Sequence, residues 1–191
     1  MVAFVPSAPL LLLDEGSPEL RAAIAAAVAR LSVQVVVVGA APTPGWVEGT
    51  VDLTPYGVLG SPADDALPLP LAVGRHLLGD RPHRLWGVPS GPLPEADSLL
   101  VVADGSAKRT PKAPGGFDPR AEGFDAGVVE ALRAADAAAL AALDEDLATD
   151  LWAAGAAAWR ALAGVPGPWR GEVLYADAPH GVGYVVATWI R

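Results

Sequence analysis

There is no cysteine anywhere in the 191 residues. That excludes disulfides, thiolate metal sites and a cysteine nucleophile, and it suits a reducing cytosol. Aromatic residues are scarce, at 6% of a chain that is 52% hydrophobic, so alanine and the branched aliphatics must fill the core. Closely packed helices on a sheet suit such a composition better than a bulky β-sandwich. Basic residues are also few: 13 Lys and Arg against 22 Asp and Glu leave a formal charge of −9. Nucleic acid and anionic membrane are therefore poor general partners. No apolar run reaches the roughly 20 residues of a membrane helix. Val2 to Leu13 is the nearest, but it contains Pro6 and Pro9, lacks a basic lead and runs into Asp14 and Glu15. It reads as a buried strand with its exit loop, in a soluble, cytoplasmic protein. Internal repeats, low-complexity tails and dividing linkers are absent too.

What remains is the punctuation of one α/β domain over 1–191: a three-layer arrangement with a mixed, mostly parallel sheet flanked by helices. Val2 to Val5 predicts a first strand. Ser17, Pro18 and Glu19 form a helix start, and Leu20, Ile24, Val28 and Leu31 mark its inner face. Gln34 to Val38 is a β-branched run of the kind buried on both sides of a sheet. Trp46 to Leu53 predicts an edge strand, and Thr54 to Leu67 a loop. A helix from Pro70 carries Leu71, Val73, Leu77 and Leu78 and stops at Gly79. Arg84 to Val88 and Leu99 to Ala103 are further strands, with a turn from Pro89 to Pro94 between them. Asp118 caps a helix facing inward through Phe124, Val128 and Leu132; Asp136 and Asp144 cap two more. A last helix is expected to run through Leu147, Leu151, Ala154, Ala158 and Leu162 to Gly164. Trp152 and Trp159 form a second stripe on it, suited to core packing or a subunit contact in a homo-oligomer. Val173 to Tyr175 and Gly183 to Ile190 close the sheet.

The stretch Leu99 to Arg120 concentrates the polar chemistry. Its apolar strand ends in Asp104-Gly105-Ser106, at the carboxyl edge where α/β proteins place ligands. These residues suit either ligand contact or a turn in which both side chains hold backbone amides. Lys108, Arg109, Lys112 and Arg120 outnumber Asp104 and Asp118, four to two, giving the following loop a local charge of +2. A small anionic molecule fits that loop; so does pairing with the acidic surface. His180, ahead of Gly181, is the best proton-transfer candidate of three scattered histidines. His76 and His83 suit solvated or packed places. Metal-binding His-x-x-x-His spacing, a Gly-x-Ser-x-Gly elbow and nucleotide-binding glycine fingerprints do not occur.

Several segments together resemble the B subunit of class III extradiol ring-cleavage dioxygenases, closest to a short, actinobacterial-type branch. They are Pro6 to Leu11, Asp104 to Arg109, Ala113-Pro114, Phe117 to Arg120, Phe124-Asp125, Ala135-Asp136, Leu143-Asp144 and Ala178 to Tyr184. The resemblance implies that group's fold over most of the chain. In active members a non-haem Fe(II), held by two histidines and a glutamate, binds a catechol and dioxygen, and another histidine handles the proton. Here the first histidine position falls at Ser7, the second near Ala41 and the proton-handling one at Ala107. Leu151 to Trp159, where the carboxylate ligand is expected, contains no Asp or Glu. The resemblance thus implies the scaffold without its iron site, and no cofactor is expected. The leading expectation is a small-molecule-binding or accessory protein whose cleft joins Ser7, Asp104, Gly105, Ser106, Lys108, Arg109 and His180. The alternatives are metal-independent acid–base catalysis by Asp104 and His180 with Ser106 or Ser7 in support, and a dioxygenase with substitute ligands.

Overall fold

Residues 1–88 and 93–191 are described by a computed structural model; most of the turn expected from Pro89 to Pro94 lies outside them. Four strands, Val2–Val5 (β1), Val35–Ala40 (β2), His83–Val88 (β4) and Ser98–Val102 (β5), run parallel in the order β4-β2-β5-β1. Tyr184–Ile190 (β7) joins β1 antiparallel, and Arg170–Asp177 (β6) joins β7 in the same sense. The three-residue Gly45–Val47 (β3) closes the other edge against β4. The result is a seven-stranded mixed sheet with a parallel centre.

Strand alternation divides the core in two. Ala3, Val5, Val35, Val37, Leu100 and Val102 face helices Pro18–Ala29 (α1) and Leu69–Leu78 (α2). Phe4, Val36, Val38, Leu99 and Val101 face Arg120–Ala134 (α3) and the short Ala137–Ala141 (α4), Glu145–Asp150 (α5) and Ala156–Arg160 (α6). Side chains on both faces of the central strands are fully enclosed, which explains their uninterrupted apolar sequence. Trp189 anchors the second layer. It packs edge-on to Phe4 with ring centroids 5.1 Å apart, and its indole N–H donates to the Leu132 carbonyl at 2.7 Å.

The expected caps form. Ser17 Oγ accepts from Leu20 N at 3.2 Å, Asp136 from Ala139 N at 2.9 Å and Asp144 from Leu147 N at 3.0 Å. Asp118 is the exception: the N-cap of α3 is Pro119, with no side-chain cap bond, and Asp118 accepts from Arg120 N from one position further out.

Two elements differ from expectation. The edge strand expected over Trp46 to Leu53 is confined to Gly45–Val47. Beyond it the chain folds back on its own loop, through Thr50 N to the Asp65 carbonyl and Leu67 N to the Thr50 carbonyl. Gly49, at φ +156°, allows that turn: a Cβ there would stand 2.3 Å from the Asp65 carbonyl oxygen.

The last helix is broken as well. α5 and α6 are separated, and a 3-10 turn, Ala161–Gly164, follows. The tip of β5 intrudes at the break. Ser106 Oγ and Ala107 N both donate to the Leu151 carbonyl, and Gly155 N donates to the Asp104 carbonyl at 3.0 Å. A Cβ on Gly155 would lie 2.5 Å from that oxygen, so only glycine admits the approach. The break also dissolves the tryptophan stripe: Trp159 is 1% exposed in the core, whereas Trp152 is 56% exposed in the turn. Ala154, placed on the inner face by its spacing, is exposed.

Candidate functional site

Parallel register aligns the ends of β1 and β5, with Val5 opposite Val102, so the residues that follow meet at the carboxyl edge. There Asp104 accepts two hydrogen bonds from Ser7, from its backbone N–H at 2.7 Å and its hydroxyl at 3.0 Å. Solvent still reaches part of Asp104, but the protein packed around its carboxyl has the density of an interior. Burial raises its pKa to about 6, the two Ser7 donors oppose the rise, and the nearby Asp125 carboxylate adds to it. Tyr184, at the start of β7, is also in the field of Asp104. Burial first, and that negative charge second, push its phenol up to about 12. The arrangement sets a carboxyl whose pKa is raised to about 6, held by both Ser7 donors, near a neutral phenol.

Gly105 and Ser106 serve a different purpose. Gly105 N donates to the Gly183 carbonyl at 2.7 Å, and Gly183 N donates to the Ser106 carbonyl at 2.8 Å. Ser106 is fully buried; its hydroxyl donates to the Leu151 carbonyl and accepts from Lys108 N at 3.1 Å. The hydroxyl is thus consumed by the turn.

Behind this turn stands Asp125, on the buried stripe of α3. Its carboxylate accepts from Ser106 N at 2.8 Å and from Arg109 Nη1 at 3.0 Å. Burial raises its pKa against the pull of both donors. The two glycines make room for it: a Cβ on Gly105 or Gly183 would lie 2.4 or 2.2 Å from a carboxylate oxygen. Asp125 therefore ties α3, the β5 tip and the β7 start into one knot.

Arg109 gives its charge to Asp125 and lies 3.8 Å from Glu122. Lys108 holds its ammonium 5.5 Å from the exposed Trp152 ring. His180 is exposed in the β6–β7 turn and, among the described residues, makes no hydrogen bond to Asp104. The turn itself is strapped to the loop through Arg109 N and the Gly181 carbonyl. His76 pairs with Asp14 at 3.1 Å and His83 with the Arg81 carbonyl at 2.7 Å. Of the seven residues expected in one cleft, Ser7 and Asp104 come together as a hydrogen-bonded pair. Gly105, Ser106 and Arg109 belong to the structural knot behind them, while Lys108 and His180 stand at its margin.

A cavity of about 260 Å³ opens between α3 and the β6–β7 pair. Arg109, Glu122, Asp125, Trp159, Asp177 and Gly183 contribute to its wall; Ser7 and Asp104 do not.

The donor set at the carboxyl edge does not fit an iron centre of two imidazoles and a carboxylate. Ser7 is engaged with Asp104, Ala107 offers only backbone, and the turn between α5 and α6 brings no acidic side chain. Among the described residues no cluster of three or more His, Asp or Glu side chains stands together to hold a metal.

Asp125 and Tyr184 are neighbours of Asp104 to which sequence reasoning gave no role. Asp125 had a legible signal, being an acidic residue on the same helical face as Ala121, Val128 and Leu132. Comparison of the chain with models of known protein families and with curated proteins gives no match to either. Among the described residues no helix is long and apolar enough to cross a membrane.

Proposed function

We propose that this chain is a small-molecule-binding protein built on a scaffold that resembles the extradiol dioxygenase B subunit, with a proton-holding carboxyl where that group keeps iron. The Ser7–Asp104 pair carries the proposal. It stands at the carboxyl edge of the sheet centre, where α/β proteins bind ligands, and the Ser7 hydroxyl, spent on Asp104, positions the carboxyl that meets the ligand. Asp104 recognises a ligand group that accepts a proton when the carboxyl is neutral or donates one when it is charged. Lys108, with no carboxylate within ion-pair distance among the described residues, supplies the positive charge for a small anionic ligand at the margin.

Acid–base catalysis in the same place is the second proposal, favoured by the pKa of Asp104 near 6. Its partners would be Ser7 and Tyr184 in place of His180.

Metal analysis after anaerobic Fe(II) loading and desalting tests the first proposal. The expected result is iron well below one equivalent, unchanged in Asp104→Asn. One equivalent of iron, lost in that variant, would overturn it. A thermal-shift screen at pH 5 and pH 8 should then give ligand-dependent stabilisation that Asp104→Asn and Lys108→Ala reduce.

A further inference from the structure

The two edges of the sheet are unequal. β3 is three residues long, whereas β6 runs for eight, Arg170–Asp177. None of those eight is buried, against six of the seven in β7 beside it. Among the described residues the backbone of β6 bonds to β7 alone, so its outward N–H and C=O groups have no protein partner. Shortness and proline ordinarily protect an edge from pairing with another chain, and β6 has neither.

A bulge, the usual further protection, sits at its centre, where the register to β7 shifts between Val173 and Tyr175. Here it gives the strand a symmetry. Cross-strand partners share a face. Glu172 stands opposite Thr188, Tyr175 opposite Val186 and Asp177 opposite Tyr184, all on the α1 side. Arg170, two residues before Glu172, is on that side too. Gly171, opposite Trp189, and Ala176, opposite Val185, are on the α3 side. Without the extra residue, alternation would put Arg170 and Asp177 on opposite faces. With it, the pattern of faces reads the same from either end about a point between Val173 and Leu174.

The charges follow the same symmetry. Arg170 and Asp177 are both exposed. Among the described residues Arg170 has no carboxylate partner and Asp177 no cation, its Oδ1 accepting only from Ala178 N.

From these features we infer that a second copy of this chain pairs with β6, antiparallel about a two-fold axis between Val173 and Leu174, and joins two seven-stranded sheets into one. Arg170 of each copy then faces Asp177 of the other on the α1 side, while Gly171 faces the small Ala176 on the α3 side. Sliding one copy by one residue sets α1-facing against α3-facing side chains. Sliding it by two sets Glu172 either against Asp177, a like charge, or against Val173 of the other face. One register satisfies both faces and the charges.

Sedimentation velocity of the full chain from about 1 µM to about 500 µM should show a monomer–dimer equilibrium. Arg170→Asp and Asp177→Arg alter exposed side chains, and far-UV circular dichroism checks that each variant is folded. Each should raise the dimer dissociation constant at least about tenfold, and mixing the two variants, which again opposes unlike charges, should restore it. Because the chain has no cysteine, Leu174→Cys, next to the axis, should cross-link to a dimer under mild oxidation. Leu59→Cys, fully exposed in the loop after β3, should not. A monomer throughout that range, a dimer that the single variants leave unchanged, a mixture that stays monomeric, or cross-linking at Leu59 instead of Leu174 would each overturn the inference. None of these outcomes bears on the Ser7–Asp104 pair, since β7 stands between β6 and β1.

Discussion

Opposing forces set the protonation of Asp104, and each can be removed singly. Burial favours the neutral acid, while the Ser7 N–H and O–H favour the carboxylate. Ser7→Ala removes the hydroxyl donor and should move the Asp104 pKa further up; a carboxyl titration by NMR that shows no change would refute the assignment. The folded-state value of about 6 exceeds the ordinary 3.8, so the native state holds this proton longer than the unfolded chain. Stability from this group is full below the ordinary value and is lost as pH rises through about 6. Denaturation of wild type and Asp104→Asn in parallel should show wild type losing roughly 2–3 kcal/mol relative to the variant across that window. Asp125 acts differently, as a tie. Asp125→Ala leaves Arg109 and Ser106 N without their acceptor and should cost on the order of 3 kcal/mol by urea denaturation. The sequence marked Asp104 as special because a polar tip ended an apolar strand. It could not show that Ser106 spends its hydroxyl on Leu151, since that bond spans 45 residues of chain and depends on where α5 stops.

At the scale of elements, strands and caps were legible because their causes are local. Val35 to Val38 form a buried strand from composition alone, and Ser17, Asp136 and Asp144 cap helices within three residues of themselves. The broken last helix was not legible, because its cause is the β5 tip arriving from elsewhere in the chain. The break leaves a local signature in Trp152, which adopts φ +54° just beyond α5, with Ala153 N bonded back to the Ala148 carbonyl. Glycine ordinarily fills that position. Trp152→Gly should therefore stabilise the protein by about 0.5–1 kcal/mol despite glycine's greater unfolded-state freedom. Trp159→Ala, seven residues on, should cost about 3–5 kcal/mol by emptying the core. Equal effects at the two positions in a thermal melt would contradict the broken helix and restore a continuous stripe.

For the molecule as a whole, the sheet order brings residues separated by 97 positions, Ser7 and Asp104, to one edge of a sheet covered by helices on both faces. The α/β class followed from alternating strand and helix patterns, but the antiparallel addition of β7 to β1, which brings Tyr184 beside Asp104, follows only from the assembled sheet. The central claim is that a protonatable carboxyl, and not an iron centre, occupies this edge. Its most direct test is an NMR titration of the Asp104 side-chain carboxyl, run anaerobically with and without one equivalent of Fe(II). The expected result is a midpoint near 6 that iron leaves unchanged. Saturable broadening of that signal by Fe(II), or a midpoint driven far down in its presence, would contradict the claim and return the site to metal chemistry.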